Sequence, residues 1–554
     1  MSVQPPSPEE PSVVRASGPG NAAAAAAFFA AALLISCYDL AGSGSLFPDS
    51  PRYANGAAMM HDWLAAGDLA HPVRFASANY ARYPGFSIPY HPPVYPALLG
   101  AFYFATGVSY AASRVFIGLC LGASGCAFFA ILKRFGLAPV AAFGCTLVLM
   151  TTPEIVLWSR DTMSELPALM FILAGSYFFL GWCGSGRTWE CLAAFGLAEL
   201  AFLSRVTTCA VLPAWFVYAT LTGRFRRLVT PPVIAASLLY LGLNAGYVKF
   251  AVQYSKFETS NNPTLGASRV LSWENVSFYP LLMPDIVGWG SLAAAAAGVV
   301  AAARLGRRCP AGLFWLSWLV CYYAFQVVIA TNYQRYFLFG VPAVTGLIAC
   351  LFDPSLPRPL RRNLAPLALG LAMTTNVTQS LQVPRGVVGY EAAARRLAGF
   401  TDPGNVMLAS PQFQDLIFRF RCLDPKPPRL MLRSDRTFAI RLSPYTGVAP
   451  TIVAQSASDV EDVVRRGRVR YLVTASPDDP RRDDRVEEMV LVDNVVRSAP
   501  DRFEKVFEAP LLLEYGVRGR GPAYKVMIWR YLKDLPGGPS EIPVLVPTAG
   551  LEIR

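Results

Sequence analysis

The segment Phe47-Pro48-Asp49-Ser50-Pro51-Arg52-Tyr53 puts one carboxylate just ahead of a proline-started helical stretch, in a polar loop between apolar runs. A carboxylate within hydrogen-bond reach of a hydroxyl can take its proton as the oxygen attacks, which is general-base chemistry. Asp-x-Pro is equally a helix N-cap signature, so Asp49 has a structural reading beside the chemical one. Cations stand at comparable places: His91 in Tyr90-His91-Pro92-Pro93-Val94-Tyr95-Pro96, Arg205 after Ser204, and Arg335 in Gln334-Arg335-Tyr336-Phe337-Leu338. Such groups can stabilise an anion, a phosphate ester for example. Arginines at helix ends also serve as snorkelling anchors, and a histidine before two prolines can simply pack under a stiff turn. Glu165, in Met163-Ser164-Glu165-Leu166-Pro167, and Asp161 one turn earlier can orient a ligand, hold a divalent ion or pair with Arg160. Asp161 also fits a helix cap.

The frame that must position these residues is mostly apolar. Hydrophobic residues make up 53% of the 554 and charged residues 16%, where soluble globular chains carry roughly 25% charged. Runs such as Asn21 to Asp39 and Tyr110 to Leu132 therefore read as membrane spans. Eleven candidates follow: 21–40, 110–132, 137–152, 165–182, 189–204, 206–222, 230–248, 286–303, 311–330, 337–352 and 364–381. Every second connection is basic, at Lys133-Arg134, Arg187, Arg224 with Arg226-Arg227, Arg304 with Arg307-Arg308, and Arg358 with Arg361-Arg362. By the positive-inside rule these face the cytoplasm, with the N-terminus inside and the C-terminus outside, as in a multi-pass protein of the inner or plasma membrane. The remaining connections, 41–109, 153–164, Ser204-Arg205, 249–285, 331–336 and the chain after 382, carry the candidate residues on one membrane face. A multi-span transporter or lipid flippase is the alternative reading, but it would gather polar groups at mid-membrane and show inverted repeats, and no internal repeat is found. The net charge of +12 lies in short clusters between apolar runs, unlike the basic patch with aromatics that binds nucleic acid.

Residues 1–20, rich in Pro, Ser and Gly, are expected to be a disordered cytoplasmic N-terminus. Leu34-Ile35-Ser36-Cys37 matches a lipoprotein cleavage box, yet Glu9 and Glu10 against a lone Arg15 make a poor signal-peptide start, so an uncleaved span is expected. Residues 382–535 change character. Helical stretches at 390–398, 459–466 and near 485–498 alternate with strand-like runs at 405–409, 469–474, 503–513 and 524–531, which predicts an extracytoplasmic α/β domain. A flexible tail is expected over 536–554. Ten of the eleven cysteines lie in or beside apolar segments and only Cys422 falls in the polar third, so no disulfide framework is available to that region, and no CxxC pair suggests a metal site. Glu199, inside a span, reads as a polar contact between helices.

One span, an outer loop with Asp49-Ser50 and Tyr53 leading into a helix that ends at Gly67-Asp68, and then His91-Pro92-Pro93-x-Tyr95-Pro96 resemble the GT-C superfamily of membrane glycosyltransferases. The likeness is to the branch of protein O-mannosyltransferases and bacterial lipid A sugar transferases; it extends to Met163–Pro167 and Gln334–Leu338 and covers residues 21 to 381 as a transmembrane catalytic domain. The resemblance implies an inverting transferase that moves a sugar from a polyprenyl-phosphate donor to a hydroxyl of a lipid, glycan or protein acceptor outside the cytoplasm. It implies Asp49 as base, Arg335, His91 and Arg205 on the donor phosphate, and Tyr53, Glu165, Asp161 and Tyr336 shaping the site or the acceptor. Tyr53, Tyr83, Tyr90 and Tyr95 can stack on sugar rings, though tyrosine belts mark any membrane interface. Relatives often carry a second acid beside the first; Ser50 stands there instead, and a divalent metal is left open with no other cofactor implied. Loop 249–285, with Lys249, Lys256, Trp273 and Tyr279, reads as a gate.

Overall fold

The computed structural model describes residues 19–38, 40, 44–45, 47, 49–86, 91–261, 270–329, 332–383, 386–409, 413–423, 429–440, 451–452, 454–476, 487–514, 523–542, 544–546 and 551–553. The expectations for residues 1–18, for Tyr90 and for the Lys256 side chain lie outside what is described.

A helix stands at every one of the eleven apolar runs. Among the described residues five are long and apolar enough to cross a bilayer by length and composition: Tyr110–Arg134, Glu165–Ser185, Trp289–Arg308, Pro310–Ile329 and Gln334–Phe352. A sixth passes only as a pair, Pro139–Met150 with Pro153–Ser159, bent by 62° at a break that Pro153 helps make. Helix length and composition thus confirm only part of the count of eleven spans. Several helices, such as Pro139–Met150 with 12 residues and Thr188–Phe202 with 15, fall short of the roughly 20 a bilayer asks for. Glu199 accepts a hydrogen bond from Asn244 Nδ2 across two helices, as its helix-contact reading requires.

The long connection 41–109 is mostly helix among its described residues. Ser50–Ala66, Pro72–Arg82 and Val94–Thr106 follow one another, each with a proline in or next to its first turn. Gly67 ends the first in the left-handed region, φ 67°, where a side chain would be strained. Val94–Thr106 crosses Ser50–Ala66 so closely that a Cβ on Gly100 would lie 2.7 Å from the Ala57 carbonyl oxygen. That approach stacks His91 and Tyr95 on Tyr53, with ring centroids 4.4 and 5.3 Å apart. The expected gate at 249–285 is also largely helical, covered by Pro231–Asn261 and Trp273–Val287.

The C-terminal region is a sandwich of helices around a mixed sheet. Strands β1 (Gly386–Val388), β2 (Asn405–Ala409), β3 (Met431–Arg433), β4 (Ala439–Ile440), β5 (Thr451–Ile452), β6 (Val469–Ala475), β7 (Phe503–Glu514) and β8 (Ala523–Tyr531) follow in sequence. Six of them form one sheet in the order β1-β7-β8-β6-β2-β3, with β2 parallel to β3 and β6 and the other pairs antiparallel. The two-residue period of β2 sends Val406 and Leu408 to one face, under Tyr390–Ala398 and Phe413–Cys422, and Met407 and Ala409 to the other, under Ala457–Arg466 and Glu487–Ser498. The Phe413–Cys422 helix is not among the expected elements. Within the span 536–554, where a flexible tail is expected, β9 (Val544–Val546) and β10 (Leu551–Ile553) pair antiparallel beside Pro72–Arg82.

Candidate active site

Asp49 occupies the N-cap position of Ser50–Ala66, but its side chain makes no capping hydrogen bond. It turns to arginines instead. Arg52 Nη1 donates to Oδ1 at 3.1 Å and Arg335 Nη1 to Oδ2 at 3.2 Å, while His91 Nε2 lies 3.9 Å from Oδ1. Burial would push the Asp49 carboxyl up, but His91, Arg52, Arg335 and Arg205 outweigh it and hold the group at about 2. Because the folded value is depressed, the stability from these pairs is present above the ordinary carboxylate range and lost as pH falls through about 2. His91 is driven to about 3, first by burial and then by the nearby arginines, against the pull of Asp49, so its imidazole is neutral at neutral pH.

Arg335 is 9% exposed and lies over the Phe47 ring at 4.0 Å and the Tyr336 ring at 5.1 Å. A snorkelling anchor would reach toward water; this guanidinium is enclosed between rings and a carboxylate. The 3-10 segment Gln334–Gly340 that carries it is pinned from several sides. Tyr322 donates to the Tyr336 carbonyl, Gln326 Nε2 donates to the same oxygen at 3.1 Å, and Trp318 Nε1 donates to the Phe339 carbonyl at 2.8 Å. Gln334 donates to buried Glu154 at 2.8 Å, and Trp158 donates to the other oxygen of the same carboxylate at 2.6 Å. Glu154 is a residue the sequence did not single out.

Arg205 pairs with Glu165 at 3.3 Å, donates to the Tyr53 hydroxyl at 3.4 Å and lies 5.2 Å from the Tyr336 ring centroid. Ser164 also donates to the Tyr53 hydroxyl, at 3.1 Å. Both Glu165 oxygens are buried and accept no hydrogen bond among the described residues. Asp161 lies one layer behind. It accepts from the backbone N–H of Phe47 at 3.0 Å and of Thr162 at 2.9 Å, and so ties the Asp49 segment to the connection 153–164 rather than capping a span. Burial pushes its carboxyl up to about 6, against the hydrogen bonds from Ser50, Thr162 and Phe47.

Seven of the eight anticipated residues, Asp49, Tyr53, His91, Glu165, Arg205, Arg335 and Tyr336, thus form one connected cluster, and Asp161 supports it. Arg52 is absent from the sequence-derived set, though it stands one helical turn from Asp49 within the quoted motif. Among the described residues no group of three or more His, Cys, Asp or Glu could hold a metal ion. The donor set does not fit one either, since Asp49 and Glu165 are each countered by guanidinium.

Residues 90–246 match the family described as dolichyl-phosphate-mannose-protein mannosyltransferase. The crystal structure of ArnT from Cupriavidus metallidurans in the apo state aligns with a TM-score of 0.58 at 16% identity, covering 91% of this chain and 97% of that one. The chain has the fold of ArnT. The same ArnT bound to undecaprenyl phosphate aligns with a TM-score of 0.54 at 15% identity and the same coverage. The arabinofuranosyltransferase AftD from Mycobacteria aligns at 0.52 and 14% identity, over 92% of this chain and 40% of that one. No curated protein sequence matches. The GT-C resemblance carried by the motifs therefore stands, with a C-terminal sheet domain as part of the aligned chain.

Proposed function

We propose that the protein is an inverting glycosyltransferase that moves a sugar from a polyprenyl phosphate carrier to a hydroxyl acceptor at the outer face of the membrane. The observation that carries this reading is the cluster itself: one ionised carboxylate held between arginines, with an imidazole against it, on a GT-C fold. The ArnT relative was crystallised with undecaprenyl phosphate, which fits a donor of this class. Arg335 and Arg205 receive the donor phosphate, and neutral His91 adds a hydrogen bond without charge. Asp49 takes the acceptor proton as the acceptor oxygen bonds to the anomeric carbon, and the bond from that carbon to the phosphate oxygen breaks. The leaving group departs as polyprenyl phosphate, its charge met by the two guanidinium groups. Phosphate competes with Asp49 for Arg335, so donor binding releases the carboxylate from one partner and raises its basicity. Glu165, whose oxygens accept no hydrogen bond among the described residues, orients a hydroxyl of the sugar or the acceptor.

Mass spectrometry of envelope glycans and lipids from cells with and without the protein tests the reading: loss of one glycosylated species is expected, and an unchanged inventory opposes it. The membrane orientation has its own test. A reporter fused after Arg362 should be active in the cytoplasm and one fused at Arg554 outside, whereas a cytoplasmic C-terminus would remove the single-sided site.

A further inference from the structure

The Phe413–Cys422 helix of the C-terminal domain lies on Ser50–Ala66, the helix that begins after Asp49, and its polar residues Gln414, Asp415, Arg419 and Arg421 are buried. Gln414 is 3% exposed and Asp415 fully buried. Asn55 Nδ2 donates to the Gln414 backbone carbonyl at 3.1 Å, and Ser45 Oγ, four residues before Asp49, donates to Asp415 Oδ1 at 3.2 Å. Arg421 bonds the Asp62 carboxylate and donates to Asn79 Oδ1 at 3.4 Å. These contacts fix the helix on the segment that carries the base. The Gln414 side chain then faces Arg52: with its amide oxygen toward the guanidinium it accepts from Nη2 at 3.2 Å and from Nε at 3.3 Å. Arg52 gives its remaining Nη1 to Asp49 at 3.1 Å. The guanidinium is gripped on two edges, by the catalytic segment's own carboxylate and by an amide from the other end of the chain.

We propose that Gln414 is a positioning residue, through which the C-terminal domain holds Arg52 against Asp49 and so completes the active site. A side chain of Arg52's length, 30% exposed, otherwise loses rotamer freedom each time it meets the carboxylate. A fixed acceptor on its far edge removes that loss and keeps Asp49 ionised and aimed. The catalytic consequence rests on the transferase reading; the grip itself does not.

Two readouts on the full chain in nanodiscs separate them. In thermal unfolding, Gln414→Met and Arg52→Ala should each lower the midpoint, and the double variant should fall no further than Arg52→Ala alone. Additive shifts would overturn the grip. In transfer per folded molecule, Gln414→Met should lose about tenfold, as expected for charge-assisted hydrogen bonds, and should lose nothing more in the Arg52→Ala background. Gln414→Glu keeps two acceptor oxygens on Arg52 and should retain more activity than Gln414→Met. Mere packing predicts the reverse, because a buried charge costs more than a thioether of similar shape. If Gln414→Met does not fold, Gln414→Glu decides alone: near-normal transfer supports the grip and loss as deep as in Arg52→Ala overturns it. Coupled midpoints with no transfer by the wild type would leave the grip standing and remove the transferase reading.

Discussion

Asp49→Asn should cut transfer by orders of magnitude while leaving a folded, membrane-inserted protein. Asparagine keeps the shape of the side chain and an acceptor for one of the two arginines, and it removes the basicity. Proton removal by a placed side chain contributes about 10²–10⁴-fold to rate, so turnover should fall by that factor. Losing the charge also leaves Arg52 and Arg335 without their shared counter-ion, which should lower thermal stability by about 1–3 kcal/mol. The loss of rate must therefore be normalised to folded protein. The helix-cap reading predicts another pattern, since asparagine caps as well as aspartate and would be silent. Near-normal turnover in Asp49→Asn would return the residue to a structural role, against the geometry in which its side chain makes no capping bond.

Arg335→Ala should weaken donor use by about tenfold or more, because charge-assisted contacts to a phosphate are worth roughly 1.5–3 kcal/mol. Arg335→Lys should recover only part of this. A planar guanidinium can give directed bonds to phosphate and still rest on the Phe47 and Tyr336 rings, whereas an ammonium keeps the attraction and loses the geometry. A helix anchor behaves differently, since lysine snorkels as well as arginine, and Arg335→Lys would then be silent. The readout is the concentration dependence on a defined polyprenyl-phosphate sugar. Full specific activity in both variants would move the phosphate site to His91 and Arg205.

Much of the site is legible in the sequence because chemistry and topology agree. The charge alternation predicts one membrane face for Asp49, His91, Glu165, Arg205 and Arg335, and the fold brings them into one cluster. Direction is not legible. Asp-x-Pro marks where a helix starts, but whether the carboxylate turns to its own N–H groups or to arginines depends on side chains as far as 286 residues away. The cap reading of Asp161 fails for the same reason, since its bond to the Phe47 N–H spans 114 residues. The Phe413–Cys422 helix has a readable pattern, with Phe413, Leu416, Ile417 and Phe420 at helical spacing, but Gln414, Asp415, Arg419 and Arg421 crowd polar groups into the same ten residues. Several of those polar residues meet the segment around Asp49, a partner no local pattern announces. Hydropathy alone likewise hides the three helices of the connection 41–109, although Pro51, Pro72, Gly67 and Gly107 mark their starts and ends.

The most direct test of the account is transfer by purified wild-type protein in nanodiscs, given a defined polyprenyl-phosphate sugar and an envelope extract as acceptor. The account predicts release of polyprenyl phosphate together with a glycosylated product of inverted anomeric configuration, with both cut by orders of magnitude in Asp49→Asn. No release by folded wild-type protein across a panel of donor sugars, or equal release by Asp49→Asn, would contradict it.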